Sequence, residues 1–295
     1  MFAKIELRRT RDFSDKINTT FEFARQNVKP LAKALIYICG PMLLIQGIFN
    51  GLYQNESLMR IREGDAVNST TNGFLLLAYL FSILSNIAAL IVVYEYLRIY
   101  EQRKNAAPIE VSEIWMGVKK NYLPLLGAML ILFILAGLGL ILLVIPCIYL
   151  MIVFSLVPPL MVIEGDDFRD ALSRAFKIIS EKWWSTFGLI FVMVIIILFM
   201  TLILYVPLII YTATLAVHKM DVGNELPVWQ EAGMIIFTLL YSFGSGIFQS
   251  LVFLALAFQT YNLIERKEAK GLMMRLENFG KSHEQQNQSD IHETY

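Results

Sequence analysis

Histidine and cysteine are nearly missing from this chain of 295 residues, which holds three of one and two of the other. A metal centre needs clustered His, Cys or carboxylate ligands. His218, His283 and His292 are too scattered to ligate together, so no metal is expected. Cys39 and Cys147 each fall inside an apolar stretch, where a thiol acts as a small, inert hydrophobe, so no disulfide is expected. A Gly-rich nucleotide loop, a nucleophile elbow and an HExxH helix are lacking too. No cofactor follows, and the chain is not expected to be an enzyme. Charge is scarce, at 17% of residues, and residues 121–163 hold no Lys, Arg, Asp or Glu in 43 positions. Transporters commonly place titratable groups within the bilayer. Here the polar residues deep in the apolar stretches are neutral: Gln46, Asn50, Asn86, Gln249 and Ser250.

Apolar residues are abundant instead, at 56%, with a mean hydropathy of +0.56. Five stretches (34–53, 73–94, 121–163, 185–217 and 232–263) match or exceed the ~20 residues needed to cross a bilayer. The third is twice that length, and Gly137, Gly139 and Pro146 punctuate it, which predicts two helices joined by a short turn. Six spans result, at about 34–53, 73–97, 122–142, 145–164, 185–211 and 232–262. With six spans, 22 of the Lys and Arg residues fall on one side and three, Arg60, Arg62 and Lys219, on the other. The positive-inside rule then places both termini in the cytoplasm. The fold class expected is an all-α, multi-pass integral membrane protein, N-in and C-in, and a bacterial inner membrane is the expected location.

Three amphipathic segments precede the apolar ones in a shared register. Phe13, Ile17, Phe21, Ala24 and Val28 form the first stripe. Val111, Trp115, Val118 and Tyr122 form the second, and Phe168, Leu172, Phe176, Ile179 and Trp183 the third. A helix with such a stripe and a charged opposite face lies in a membrane surface. Surface helices are therefore predicted at about 13–29, 108–122 and 166–183, each followed by a membrane hairpin. Phe21, Trp115, Tyr122, Phe176, Trp183 and Trp184 are the candidate membrane-interface residues. Residues 1–12 form a basic arm whose Lys4, Arg8, Arg9 and Arg11 suit anionic headgroups. No RNA-binding motif accompanies them, so nucleic acid is not an expected partner. Residues 13–265 make up the membrane domain, and the polar stretch 266–295 is predicted to be a disordered cytoplasmic tail. Gly47-x-x-x-Gly51 is a close-packing motif, and the Ser/Gly run from Ser242 to Gly246 suits a tight helix crossing. Glu95 has Arg98 three residues on as its expected ion-pair partner.

One strip carries a resemblance. Ile145-Pro146-Cys147-Ile148-Tyr149-Leu150 is followed by Pro158-Pro159-Leu160, Glu164-Gly165 and Ala171-Leu172-Ser173-Arg174-Ala175-Phe176, up to Trp184. It resembles the membrane domain associated with some glycerophosphodiester phosphodiesterases and the stand-alone six-span proteins related to it. That family shows a "PGIYL" turn, a proline near the span's end, an "EG" and an "AL-R-S" amphipathic helix. Here Cys147 replaces the usual Gly, and Ala175 stands where Ser is common. The resemblance implies the six-span fold. The phosphodiesterase activity belongs to a separate barrel for which these 295 residues leave no room. Pro146, Pro158, Pro159, Glu164 and Arg174 are the structural or hinge candidates, with Glu164 expected to pair with Arg169 or Arg174 and pin the third surface helix.

The function expected is non-catalytic: organising membrane lipid, or an unidentified protein partner, at the cytoplasmic leaflet. The alternative is a transporter or lipid-moving protein, with a cleft among spans two, five and six that contains Asn86 and Gln249.

Overall fold

The computed structural model describes residues 4–63, 69–103, 108–142, 144–222, 228–269 and 273. Among them helix is the only regular structure. The elements are α1 (Phe13–Glu63), α2 (Ser69–Gln102), α3 (Val111–Leu142), α4 (Val144–Phe154), α5 (Val157–Pro159), a π-helical turn (Leu160–Glu164), α6 (Phe168–Ile179), α7 (Trp183–Val222) and α8 (Val228–Glu268). Six segments are long and apolar enough to span a membrane: Phe13–Ser57, Asn72–Gln102, Val111–Leu140, Val144–Glu164, Trp183–Thr214 and Ala232–Glu268. A helix is the economical answer to such sequences, because it satisfies every interior N–H and C=O within one segment.

Two of the three expected surface helices are not separate elements. Residues 13–29 run without interruption into the first span as α1, and 111–122 run into the third as α3. Pro30 and Pro124 lie inside these helices. Each proline removes one i→i−4 bond. The carbonyls released belong to Gln26 and Lys120, half-buried and exposed, at positions where solvent or headgroups can take them. Only the third surface helix stands alone, as α6, which is shorter than 166–183 because residues 180–182 turn and Trp183 opens α7. Asp167 is its N-cap residue but makes no side-chain cap bond.

Other boundaries shift outward. The polar segment 54–63, which lies beyond the first expected span, continues α1, supported by Gln54 donating to Asn50 at 3.2 Å and by an Arg60–Glu56 pair at 3.5 Å. α2 runs to Gln102, α7 spans 183–222, and α8 reaches Glu268, so the first residues assigned to the tail are helical. Apart from 266–269 and Met273, that tail lies outside the described residues, as does position 143 between α3 and α4.

The fourth span is broken where its prolines fall. Pro158 and Pro159 have no N–H to offer the carbonyls of Phe154 and Ser155. The chain tightens there, with Leu156 N–H reaching Val153 O at 3.1 Å, and then widens into the π-helical turn. Gly165 ends it in the left-handed region (φ 80°) and donates its N–H to Leu160 O. A side chain at that φ would be strained, so glycine is the fitting residue.

α1 is packed between α2 and α8, with α7 on the far side of α8. Added Cβ atoms show how closely α1 and α8 approach. At Gly47 one would collide with Leu239, and at Gly51 it would lie 3.2 Å from the Ile235 backbone. The expected close-packing motif therefore faces α8. Gly244 meets Leu204 of α7 and Gly246 meets Leu43 of α1, so the Ser/Gly run is a helix crossing. Away from these contacts the helices present large apolar side chains outward: Leu76, Phe133, Ile145 and Ile203 are each about 70–80% exposed. A water-soluble surface does not carry so continuous an apolar coat.

A charged cap and a basic pocket at one end of the bundle

At one end of the bundle, the N-terminal arm, the start of α1, the end of α2, the π-helical turn, α6, the start of α7 and the end of α8 converge. Their side chains make two distinct electrostatic environments.

In the first, cations and carboxylates are matched. Arg8 reaches Glu101 at the end of α2 and Glu164 at 2.7 Å. Arg174 of α6 reaches the same Glu164 at 3.2 Å, Asp166 at 2.7 Å and Glu268 of α8 at 2.6 Å. Tyr261 donates its hydroxyl to Glu101 at 3.0 Å, and its ring lies 5.3 Å from the Arg8 guanidinium. Glu164 is the bridge between the two arginines, with only 4% of its side chain exposed. Burial by itself would lower both arginine pKa values. For Arg8 the charges of Glu101 and Glu164 outweigh burial, and for Arg174 the hydrogen bonds to Glu268 and Asp166 do, so both are raised. The arm, three helices and the π-helical turn are thus tied by one ion-pair network. Arg8 and Arg11 point into the protein, not toward headgroups as the sequence suggested. Arg9 remains exposed.

The second environment is basic and short of carboxylates. On α1 the most deeply buried positions are not those of the apolar stripe, of which Ile17, Phe21 and Ala24 are partly buried, but Lys16, Thr20 and Phe23. Lys16 is 2% exposed and donates to Gln259 Oε1 at 2.7 Å and to Ser185 Oγ at 3.0 Å. Gln259 in turn donates to Thr186 Oγ1 at 2.7 Å, closing a polar seam between α1, α7 and α8. Arg11 donates its backbone N–H to Asn262 Oδ1 at 2.8 Å. Its guanidinium donates to the carbonyls of Leu7 (2.9 Å) and Glu6 and lies over the Phe258 ring. Burial, with Arg9 close by, lowers the Arg11 pKa. Lys182 and Arg266 complete the group, and a cavity of about 180 Å³ opens between Arg11, Asp12, Phe13, Lys16, Lys182, Ser185, Asn262 and Arg266.

The expected interface residues are spread around the molecule. Trp183 stacks on Tyr149 and Phe187, at 5.8 and 5.4 Å, and donates Nε1–H to Tyr149 O at 3.3 Å. Trp184 beside it is largely exposed. Phe176 is half-exposed and meets Phe154 edge-on, while Phe21 packs against the cluster of Leu189, Met193 and Val252. Trp115 lies under the Lys119 ammonium, and Tyr122 donates its hydroxyl to Leu84 O at 3.1 Å. These last two line an apolar crevice of about 250 Å³ with Ile38, Met42 and Val118. Among the hinge candidates, Pro158 and Pro159 are buried at the break, whereas Pro146 is exposed near the start of α4.

Asn86 and Gln249, the two residues named for a cleft among spans two, five and six, share none of the cavities described here. Asn86 donates to Ser82 O at 2.9 Å within its own helix and lines a crevice of about 30 Å³ between α1, α2 and α8. Gln249 is not among the residues lining it. Near the end of α2, Glu95 is fully buried, paired with Arg98 at 2.7 Å and accepting from Asn121 at 2.6 Å. Among the described residues no group of three His, Cys, Asp or Glu is placed to hold a metal ion. His283, His292 and the His218 side chain lie outside what is described.

Six apolar spans with an outward apolar coat and charges gathered at helix ends define a multi-pass membrane protein. Comparison with protein-family models, curated proteins and solved structures finds no match to this chain.

Sequence reasoning named Arg11 only as part of the basic arm and missed Lys16, Gln259, Asn262 and Arg266. The available signal was Lys16–Thr20 and Gln259–Asn262, polar pairs four and three apart on helices with apolar flanks. A polar stripe on a membrane helix turns inward, away from lipid.

Proposed function

We propose that this protein is a non-catalytic membrane protein of the cytoplasmic leaflet, and that it organises anionic lipid there. The observation that carries the proposal is the convergence of the arm and the helix ends into one charged cap, at the end of the bundle where most Lys and Arg residues fall. The positive-inside rule assigns that end to the cytoplasm. Anionic lipid attracts basic residues near its surface by roughly 1 kcal/mol each. The matched ion pairs hold the cap rigid, and the adjacent basic group, together with exposed Arg9, Lys177 and Lys182, supplies the attraction. Trp183 and Trp184 next to it are the residue type that settles at headgroup depth.

The test is reconstitution of the full chain in vesicles of phosphatidylcholine alone and of phosphatidylcholine mixed with phosphatidylglycerol. The expected result is a higher thermal midpoint in the anionic vesicles, together with anionic lipid enriched in the purified protein over bulk membrane. Equal midpoints and no enrichment would overturn the reading.

A further inference from the structure

We infer that the cavity between the arm, α1, α7 and α8 is a binding site for a phosphate group, with Arg11, Lys16, Lys182 and Arg266 as its cationic wall. The inference rests on the lipid-organising reading above and gives it a specific ligand.

The argument starts from an imbalance. Elsewhere at this end of the bundle, buried cations have carboxylate partners: Arg8 has two and Arg174 has three. Around the cavity four cations meet only exposed acids: Asp12 in the lining, Asp15 near Arg11 and Glu181 near Lys182. The Asp12 carboxylate is 92% exposed and lies 3.9 Å from Arg266, too distant and too hydrated to neutralise the group. Lys16 is the sharpest case. Its ammonium is withdrawn from solvent, yet the oxygens it reaches, on Ser185 and Gln259, are neutral. An ammonium has three N–H donors, so one is left for a ligand. The Phe13 ring lies 5.7 Å away, and the charges near the ammonium are those of Arg266, Lys182 and the exposed Asp12. Burying a charge without an opposite one is costly. An anion in the cavity removes that cost.

The chemistry favours phosphate over a carboxylate. Four cations with no buried acid among them suit a group carrying up to two negative charges, and the donors approach from three directions: the arm, the start of α1 and the α7–α8 side. A tetrahedral oxyanion presents oxygens to all of them, whereas a planar carboxylate serves one guanidinium well. Ser185 and Asn262 add neutral polar groups to the lining. Basic pockets between transmembrane helices at the cytoplasmic side are also where phosphorylated lipid headgroups bind. The phosphate comes either from a phosphomonoester headgroup or from solution, and both present the same group to these side chains.

The experiment uses the full chain, delipidated in a neutral detergent, with three ligands: short-chain phosphatidic acid, inorganic phosphate, and short-chain phosphatidylcholine as the control. Binding is read by thermal shift and by native mass spectrometry. Saturable one-to-one binding of phosphatidic acid, absent with phosphatidylcholine, is expected. Saturation by inorganic phosphate at similar concentration would support the site and assign its source to solution. The Lys182→Gln/Arg266→Gln variant removes the two outermost cations and should weaken binding roughly thirtyfold. Lys182→Gln alone, at an exposed position, guards against a folding defect and should give an intermediate loss. Lys119→Gln, on the opposite flank, should change nothing. The inference is overturned if neither phosphate ligand saturates, or if the double variant binds as tightly as the native chain. Stabilisation of the native chain by phosphatidylglycerol vesicles without saturable phosphate binding would overturn the site and leave the lipid-organising reading intact. Absence of both effects would remove both.

Discussion

Glu164 is the residue on which the charged cap turns, since it accepts from both Arg8 and Arg174 while its own side chain is almost wholly buried. Glu164→Gln keeps the shape and removes the charge. Breaking a buried ion pair on one side costs about 3 kcal/mol, and a drop of that order is expected in detergent unfolding. Glu181→Gln is the matching exposed control. The hydrogen bond from Lys267 holds the Glu181 carboxyl below its ordinary range. Whatever this contributes is present above that range and is lost as pH falls through the depressed value. Because Glu181 is fully exposed, its replacement should leave the unfolding midpoint at neutral pH unchanged. Glycine supplies a second contrast within α3. A Cβ at Gly117 would collide with the Glu95 carboxylate, whereas at Gly127 nothing lies within 4 Å. Gly117→Ala should destabilise by about 1–3 kcal/mol through overpacking. Gly127→Ala should stabilise by up to about 1 kcal/mol through helix propensity. Equal shifts for the two would contradict the packing described.

At the scale of elements, α6 is held by the side that carries two alanines and two isoleucines. Ala171, Ala175, Ile178 and Ile179 are buried against the broken fourth span and the end of α8, and Arg174 anchors it from the side. Phe168 and Leu172 of the expected stripe are only partly buried, and Phe176 lies toward the outside. Ala175→Leu should therefore loosen α6, at a cost of about 1–3 kcal/mol, and speed hydrogen exchange across 168–179. Unchanged exchange would mean that lipid, not the bundle, holds this helix. The stripe was legible in the sequence, and the start of α6 was expected at about 166, two residues before Phe168. The docking face of α6 was not legible. Periodicity separates apolar from polar positions, but two apolar surroundings, lipid and protein, look alike to it. The same ambiguity hid the continuity of α1 and α3. Pro30 and Pro124 look like boundaries on paper, yet a proline inside a long helix costs only one backbone bond where another partner can accept the freed carbonyl.

For the whole molecule, the arm acts as a strap. Lys4 donates to the carbonyl of Arg103, Ile5 N–H to the Tyr100 hydroxyl at 2.9 Å, and Arg8 and Arg11 reach the π-helical turn and α8. Removing residues 1–12 should lower the midpoint of the entire bundle in a single transition, as followed by tryptophan fluorescence. Loss of a separate low-temperature phase alone would show that the arm is peripheral. The sequence by itself determined the number of spans, because bilayer thickness fixes how many apolar residues a helix must supply. The asymmetry of the basic residues, and their concentration at helix ends, followed from it equally. It also determined the local Glu95–Arg98 contact, three residues apart on one helix. Only the tertiary structure decided which cations meet carboxylates and which do not. Arg8 and Glu164 are 156 positions apart, and Lys16 and Gln259 are 243 apart. Pairings at that range depend on how helices rotate about their axes, and the rotation is set by close packing at positions such as Gly47, Gly51 and Gly246. That rotation turned the polar side of α1 inward and left Lys16 at a cavity with no buried carboxylate to match it.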